Sequence, residues 1–196
     1  MKKKNILLID DSELTRSEFA QIFGATQYSL VFAVNSQEGL KKIKEVFFDL
    51  VLLDIIMPDL NGEKSKTAGL ELLSEIKKER PSLPIIMLST IDLVDVAVKA
   101  LKIGANDYIV KEKSSSKEII KKCENLLYYE ILETEIRKVL KLNRKINMYT
   151  LYKKIEDIEG IEKSKFIIVL DDMKASKQIE IDQSHNIIVK ELKGGK

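Results

Sequence analysis

Carboxylates follow two of the most apolar runs in this chain, at positions where packing alone does not explain them. Asp54 comes directly after the run 50–53, and the pair Asp10 and Asp11 comes after the run 5–9. If both runs are buried strands, the three carboxylates meet at one edge of a sheet and repel one another, and a divalent cation relieves the repulsion. The pattern therefore predicts a magnesium-assisted acceptor of phosphoryl groups, which is the chemistry of a signalling switch.

Five short apolar runs alternate with amphipathic segments through the first two thirds of the chain. The runs are 5–9, 30–34, 50–53, 84–88 and 107–110, and the amphipathic segments between them are 12–23, 36–47, 69–79 and 92–103. Strands that alternate with helices of this length form right-handed βαβ units. We therefore predict an α/β fold with a doubly wound, five-stranded parallel sheet. Ligands of such sheets bind at the carboxyl ends of the strands. Five polar residues fall at those ends: Asp10, Asp11, Asp54, Ser89 and Lys111.

Capping residues indicate where several helices begin and end. Ser12 and Ser36 are expected to be N-caps, and Gly104 is expected to end the helix before it. The serines at 114–116 are expected to begin a long helix, because apolar residues recur at helical spacing from there to Leu140. That apolar stripe is longer than one small domain needs, so the helix is predicted to connect two modules.

The pattern after residue 113 changes from alternating to mainly helical. Helical segments are predicted at 149–158 and 163–173, followed by a β-hairpin with strands 178–181 and 187–192. The domain prediction is a first domain at 1–113, a long connecting helix at 114–143 and a second, smaller, mainly helical domain at 144–196.

Composition limits the classes of protein that remain. The 196 residues carry a formal net charge of +2, so bulk charge does not indicate a nucleic-acid or membrane partner. One cysteine and one histidine exclude an internal disulfide and a histidine-rich metal site. No apolar run approaches the length of a membrane span. We expect a cytoplasmic protein without a membrane partner.

Four motifs, in order and spacing, resemble the receiver domain of two-component response regulators over residues 3–113. They are the acid pair at 10–11, Asp54 with Met57, Pro58 and Gly62, the run 84–89, and the segment 104–111. The resemblance implies a flavodoxin-like receiver fold that takes a phosphoryl group from a histidine kinase or a small donor. It implies a switch rather than an enzyme, with self-catalysed phosphorylation and dephosphorylation at most.

The resemblance also implies a role for each carboxylate. Asp54 is the nucleophile. Asp11 and Asp54 bind Mg²⁺ directly, the main-chain carbonyl of Ile56 is a third ligand, and Asp10 acts mainly through water. The metal neutralises charge on the transferring group.

Three further residues complete the implied site. Lys111 supplies a cation to one phosphoryl oxygen, and the Ser89 hydroxyl donates to another. Tyr108 matches the aromatic switch, which turns inward when the Ser89 hydroxyl moves toward the phosphoryl group. Taken singly, these residues have plainer interpretations: Asp10 as a helix cap, Tyr108 as a half-buried strand aromatic and Lys111 as a surface lysine.

Three departures from the receiver pattern affect the expectations. Glu112 follows Lys111 where the family usually has proline after a cis peptide, so this peptide is either trans or strained. The polar insertion 63–69 separates Gly62 from the next helix. It could screen the site from phosphoryl donors or recognise a kinase, or it could be a neutral extension of the loop. Ile56 and Ile91 occupy positions that influence phosphoryl hydrolysis in the family. Because isoleucine cannot orient a water molecule, we predict a long-lived phosphorylated state.

Two interpretations remain for residues 114–196. Three helices followed by a two-stranded hairpin is the winged-helix order, which favours a DNA-binding output that regulates transcription, with 163–173 as its recognition helix. The segment holds 17 basic and 14 acidic residues, and lysines 163, 165, 174 and 177 could contact phosphates. The acids at 171–172 and the absence of arginine after Arg144 favour the alternative, a phosphorylation-switched docking or dimerisation module without DNA binding. The long helix could also mediate a homodimer.

Overall fold

The computed structural model describes residues 3–90, 94–156 and 163–190. The chain forms two compact units, Met1–Leu127 and Tyr128–Lys196, and one long helix contributes side chains to the cores of both. The division into a first domain at 1–113, a connecting helix at 114–143 and a second domain at 144–196 remains a prediction.

The first unit is an α/β layer structure. Its strands are β1 (Asn5–Ile9), β2 (Ser29–Ala33), β3 (Leu50–Asp54), β4 (Met57–Pro58), β5 (Lys64–Ser65), β6 (Ile85–Ser89) and β7 (Asp107–Val110). Its helices are α1 (Glu13–Gly24), α2 (Ser36–Glu45), α3 (Ala68–Glu79), α4 (Val94–Ile103) and the first half of α5 (Ser116–Leu142). Lys111–Lys113 form a 3₁₀ turn between β7 and α5.

Five of these strands form one parallel sheet in the order β2-β1-β3-β6-β7, which confirms the predicted fold class for this unit. The central strands are buried on both faces, as strands covered by helices must be. Alternate residues of each strand enter two different cores. Leu7 and Leu53 pack in one core, and Leu8 and Leu52 pack in the other.

The helix boundaries follow the capping residues, with one correction. The Ser12 hydroxyl accepts a hydrogen bond from the main-chain N–H of Thr15, as predicted. Ser36 is not an N-cap. The cap of α2 is Asn35, whose side chain accepts from the N–H of Glu38, and the Ser36 hydroxyl instead donates to the carbonyl of Pro58. Asparagine is as good a cap as serine, so residue type alone could not decide between the neighbours.

Two other helix signals are confirmed. Gly104 ends α4 with a φ of +119° and donates its N–H to the carbonyls of Ala100 and Leu101. Ser115 and Glu118 form a reciprocal capping box at the start of α5. Cys123 on this helix is buried, and burial raises the pKa of its thiol to about 12, so the cysteine is a packing residue.

The polar insertion is ordered rather than an open loop. Strands β4 and β5 pair antiparallel, so residues 63–65 of the insertion belong to a hairpin that begins directly after Ile56, and residues 68–69 already belong to α3. Asp59 holds its turn by accepting from the N–H groups of Asn61 and Glu63, and Gly62 adopts a φ of +87°. A positive φ of this kind is where a turn requires glycine.

The second unit has three helical segments and a small sheet. It contains the end of α5, β8 (Lys145–Asn147), α6 (Met148–Ile155), α7 (Lys163–Ala175), β9 (Ile179–Ile181) and β10 (Asn186–Val189). The predicted hairpin is β9–β10, and residues 157–158 and 191–192 of the predicted elements lie outside the described residues. Strand β8 was not predicted. It pairs antiparallel with β10 and gives the sheet order β8-β10-β9.

The core of this second unit is apolar and continuous. Its buried side chains come from every element: Leu132, Ile136, Leu140, Ile146, Leu151, Ile155, Phe166, Val169, Leu170, Met173, Ile179 and Ile187. No helix among the described residues is both long enough and apolar enough to span a membrane.

Candidate functional site

The site lies at the carboxyl edge of the five-stranded sheet. Asp10 directly follows β1, Asp54 is the last residue of β3, Ser89 is the last residue of β6, and Lys111 follows β7. Because the strands are parallel, their carboxyl ends share one edge, and the chain brings together there residues that are up to 101 positions apart. The predicted convergence of these residues is observed.

Three carboxylates form a tight group at this edge. One oxygen from each of Asp10, Asp11 and Asp54 lies within 4.8 Å of the others. Asp10 and Asp54 are buried and Asp11 is half-buried. Burial raises the pKa of Asp54 to about 6, and the nearby Asp10 and Asp11 carboxylates add to the rise while the Lys111 ammonium opposes it.

Lys111 links two members of the group. Its Nζ donates to Oδ2 of Asp10 and to Oδ1 of Asp54, both at 2.9 Å, and its side chain is 13% exposed. Burial lowers the pKa of this lysine, but the two carboxylates outweigh burial and hold the pKa above its usual value. The described residues contain no cis peptide, so the Lys111–Glu112 peptide is trans, and the short 3₁₀ turn places the lysine without the usual proline.

Asp10 is held from several directions. Its Oδ1 accepts from the N–H of Ser12 at 2.9 Å, while its own N–H donates to the carbonyl of Ala33. The Arg16 guanidinium donates to the Asp10 carbonyl at 2.8 Å. The plainer interpretation of Asp10, as a residue that helps to begin α1, is therefore correct for Oδ1. The other oxygen, Oδ2, accepts from Lys111.

Ser89 and Tyr108 lie on adjacent strands near the same edge. Ser89 is buried, and Tyr108 is half-buried and packs against the core that contains Leu53. The β6–β7 register pairs Ser89 with Val110 and Met87 with Tyr108. Tyr108 therefore lies two residues before the strand position that is opposite Ser89 at the edge. Ile56 is half-buried and directly precedes the hairpin, and Ile91 lies outside the described residues.

Gly69 positions Asp54, and the sequence analysis missed this role. A Cβ at Gly69 would lie 2.1 Å from the main-chain oxygen of Asp54 and 2.6 Å from the Cα of Ile55. The Gly69 N–H also donates to the Ile55 carbonyl at 3.0 Å. The first turn of α3 therefore rests directly on the backbone that carries the Asp54 carboxylate. The available signal was a glycine in the first turn of a predicted helix, where it costs stability unless close packing requires it.

The donor set fits a small divalent cation. Carboxylate oxygens are the ligands that Mg²⁺ prefers, and three carboxylates with one ammonium leave an excess of negative charge when ionised. Asp10, Asp11 and Asp54 could together hold such an ion.

A family model described as the response regulator receiver domain matches residues 6–124 of this chain. The chain belongs to the response regulator receiver family. The family and the fold that the sequence motifs indicated are thereby confirmed.

Receiver-containing relatives include transcription regulators. The chain is 33% identical over 132 residues to the transcriptional regulatory protein ZraR of Klebsiella oxytoca, across 67% of this chain and 28% of that protein. It is 35% identical over 120 residues to a putative response regulator, NtrX-like, of Rickettsia typhi, across 61% of this chain and 24% of that protein. The chain thus spans under a third of the length of these relatives.

Solved receiver structures match the same part of the chain. The receiver domain of NtrX from Brucella abortus is 34% identical, with a TM-score of 0.55 over 63% of this chain and 98% of that chain. A CheY-like response regulator receiver domain protein from Methanospirillum hungatei JF-1 is 30% identical, with a TM-score of 0.56 over 64% of this chain and 94% of that chain.

Replacing Lys111 with methionine leaves the Asp10 and Asp54 carboxylates of the receiver without their shared ammonium. We expect the free energy of unfolding in Mg²⁺-free buffer to fall by about 3 kcal/mol, as when one partner of a buried ion pair is removed. Saturating Mg²⁺ should recover part of the loss. Denaturant unfolding with and without Mg²⁺ measures both effects.

The control for this variant is Lys122→Met. The Lys122–Asp107 pair is as short, at 2.6 Å, but both side chains are 38% exposed, and exposed pairs contribute less than about 1 kcal/mol. Equal losses in the two variants, both indifferent to Mg²⁺, would contradict the role of Lys111 in neutralising the acidic group.

Replacing Gly69 with alanine forces a methyl group into the backbone of Asp54 and Ile55. We expect a loss of about 1–3 kcal/mol in unfolding free energy, as for overpacked sites, together with weaker binding of Mg²⁺ by the displaced acceptor loop. Gly24→Ala is the matched control. Nothing lies within 4 Å of a Cβ built at Gly24, which ends α1, and alanine should be neutral or stabilising there. Unfolding curves and Mg²⁺ titrations of both variants would refute the idea if they coincide.

Proposed function

We propose that this chain is a two-component response regulator in which Asp54 accepts a phosphoryl group from a histidine kinase, with Mg²⁺ as cofactor. The proposal rests on the buried Asp54 carboxylate, which accepts a hydrogen bond from Lys111 and lies within 4.8 Å of the carboxylates of Asp10 and Asp11. The family membership supports it, because the segment that matches the receiver domain, 6–124, contains the three acids and the lysine.

The proposed reaction is an in-line displacement at phosphorus. A carboxylate oxygen of Asp54 forms the new O–P bond while the bond from phosphorus to the donor's nitrogen or oxygen breaks, and the bonding electron pair leaves with the donor. Lys111 reorients one N–H toward a phosphoryl oxygen, and the Ser89 hydroxyl donates to another. Bound Mg²⁺ supplies charge neutralisation at the transferring group.

The proposed metal site uses Asp11, Asp54 and the main-chain carbonyl of Ile56, with Asp10 acting through water. The hairpin that begins at Met57 and the contact from Gly69 support this placement, because they fix the backbone on either side of the Ile56 carbonyl. In the proposed switch, the Ser89 hydroxyl moves toward the phosphoryl group. The Tyr108 side chain, which lies near the same edge, then turns inward.

Asp54→Ala should abolish phosphorylation and every effect of beryllofluoride, a phosphoryl mimic, on the chain. The carboxylate that forms the O–P bond is gone, whereas the fold loses only a group whose ionisation burial disfavours. Incorporation of labelled phosphoryl from a small-molecule donor in Mg²⁺ measures the first effect. Asp171→Asn, at an exposed position on α7, is the control and should incorporate phosphoryl normally. Full incorporation in Asp54→Ala would refute the acceptor assignment.

We further propose that residues Tyr128–Lys196 form a winged-helix-like output that binds DNA to regulate transcription. The order of elements supports the proposal, because the end of α5, α6 and α7 precede the β9–β10 hairpin. In a helix-turn-helix arrangement the N-terminal residues of the second helix approach the base edges. Here that helix is α7, and Lys163 and Ser164 are exposed at its N-terminal end.

The charges along α7 are unevenly distributed. Lys163 lines the same cleft as Tyr149 of α6 and His185 of the β9–β10 turn, and its ammonium could face a phosphate. The acids Asp171 and Asp172 lie two turns further on and are exposed. Exposed Ile168, at 46%, lies between the two ends. This distribution of charge supports contact between DNA and the N-terminal end of α7 only. The alternative is a docking module that does not bind DNA.

Lys163→Gln should weaken binding to duplex DNA and lower the slope of log affinity against log salt concentration by about one, as expected for one lost phosphate contact. Lys78→Gln is the control, with the same change at an exposed lysine of the first unit, and should leave both quantities unchanged. Binding of the full chain to a randomised duplex pool at several salt concentrations provides the measurement. An output that binds no duplex at low salt would exclude DNA binding and leave the docking alternative.

A further inference from the structure

Helix α7 buries one side and exposes the other. Its buried residues Phe166, Val169, Leu170 and Met173 recur at the spacing of one helical face and pack in the core of the second unit. Ile168 lies on the opposite side, because each residue turns the helix by about 100°, and its side chain is 46% exposed. On α7, all of whose residues the structure describes, no other large apolar side chain is this exposed.

The helix that carries Ile168 is held firmly from below. The Phe166 side chain is 1% exposed, and its ring meets the ring of Tyr152 of α6 edge-on, with 5.3 Å between the two centroids. Isoleucine is branched at Cβ and strongly prefers one χ1 rotamer in a helix. Ile168 therefore presents its methyl groups in a defined position, and it loses little conformational entropy when a partner covers it.

The same helix lacks the usual readers of purine bases. Residues 163–175 include no arginine, asparagine or glutamine, the residues that most often make bidentate contacts to guanine and adenine. Of its first two lysines, Lys163 is the proposed phosphate contact, and the ammonium of Lys165 lies 4.5 Å from the centroid of the Tyr128 ring. Ser164 discriminates poorly, because a hydroxyl can bond to several bases. An apolar contact is therefore what this side of α7 has to offer for sequence recognition.

The apolar group that marks a base in the major groove is the C5 methyl of thymine, whereas the other groups that distinguish bases there are hydrogen-bond donors and acceptors. We infer that Ile168 packs against a thymine methyl group, so that the output reads thymine at one position of its DNA site. The inference rests on the proposed DNA binding through α7 and deepens it. Lys163 supplies affinity that is independent of sequence, and Ile168 supplies discrimination.

The surroundings of Ile168 favour DNA over a protein partner. Its neighbours on the outward side of α7 are Ser164 and Asp171, which are both exposed and polar, so the apolar surface does not extend beyond one side chain. A stable protein interface needs about 800 Å² from each partner, whereas a methyl group needs only one apolar side chain opposite it. Lys163 is exposed five residues before Ile168, so one helix offers a cation for the phosphates and an apolar group for the bases.

Replacing thymine with uracil tests the inference, because it removes this methyl group from the duplex and changes no hydrogen-bonding group. The tightest duplex from the randomised pool is prepared with uracil at each thymine in turn, and binding of the full chain is measured at several salt concentrations. We expect uracil at one position, or at its symmetric repeat, to weaken binding about fourfold, as for the loss of one buried methyl-sized group. This ratio should not vary with salt, because a methyl contact releases no counterions.

Variants at Ile168 assign the effect to this side chain. Ile168→Ala should bind the thymine and uracil duplexes equally, whereas Ile168→Val keeps the branch at Cβ and should retain most of the discrimination. Leu142→Ala is the matched control, because Leu142 is an aliphatic residue that is 86% exposed at the end of α5, and this variant should discriminate as the native chain does. Unfolding curves should show that Ile168→Ala stays folded, since alanine is the stronger helix former.

The possible outcomes separate this inference from the proposal on which it rests. Duplex binding without any uracil-sensitive position would overturn the thymine contact and leave DNA binding intact. A sensitivity that Ile168→Ala retains would also overturn it, because another side chain must then contact the methyl group. If the full chain binds no duplex at low salt, both the thymine contact and the DNA-binding output are wrong.

Discussion

The first unit depends on neutralising three carboxylates that the sheet gathers at one buried edge. Burial favours the protonated form of Asp54, and the neighbouring acids strengthen that preference, whereas a cation in contact with the edge favours the ionised form. The Lys111 ammonium supplies that contact at 2.9 Å to both Asp10 and Asp54. One ammonium against three carboxylates leaves the edge deficient in positive charge. The same three carboxylates could hold a divalent cation, which would offset this deficiency.

Backbone packing determines where the Asp54 carboxylate lies. Asp54 ends a central strand, so hydrogen bonds from β1 and β6 fix the direction in which the chain leaves the sheet. Gly69 then brings the first turn of α3 against the Asp54 carbonyl, a distance that no side chain would allow. The β4–β5 hairpin is fixed in turn by the hydrogen bond from Ser36 to Pro58. The residues that hold the site therefore belong to strands, a helix and a hairpin that each have an independent reason to form.

Sequence patterns predicted the elements whose residues alternate or recur at regular spacing. They missed the features that depend on contacts between distant segments. The five strands of the parallel sheet and the grouping of Asp10, Asp54 and Lys111 follow from apolar periodicity and from the geometry of parallel strands. Strand β8 has only three residues, and its pairing with β10 depends on a contact about 40 positions away, which local pattern does not encode. The role of Gly69 likewise depends on the Asp54 backbone, and the choice of Asn35 over Ser36 depends on a partner that the Ser36 hydroxyl finds at Pro58.

A phosphoryl group on Asp54 would bring about two further negative charges to an edge that is already short of cations. The Lys111 ammonium has three donors and two of them are engaged by Asp10 and Asp54, so the third can serve only one oxygen of a phosphoryl group. Additional donors must come from nearby, and Ser89 is the hydroxyl at the end of the adjacent strand. Under the proposed function, movement of Ser89 would change the space next to Tyr108 on the neighbouring strand, where the side chain is half-buried. The electrostatic shortage at the edge would then couple a phosphoryl group on Asp54 to a change in packing two strands away.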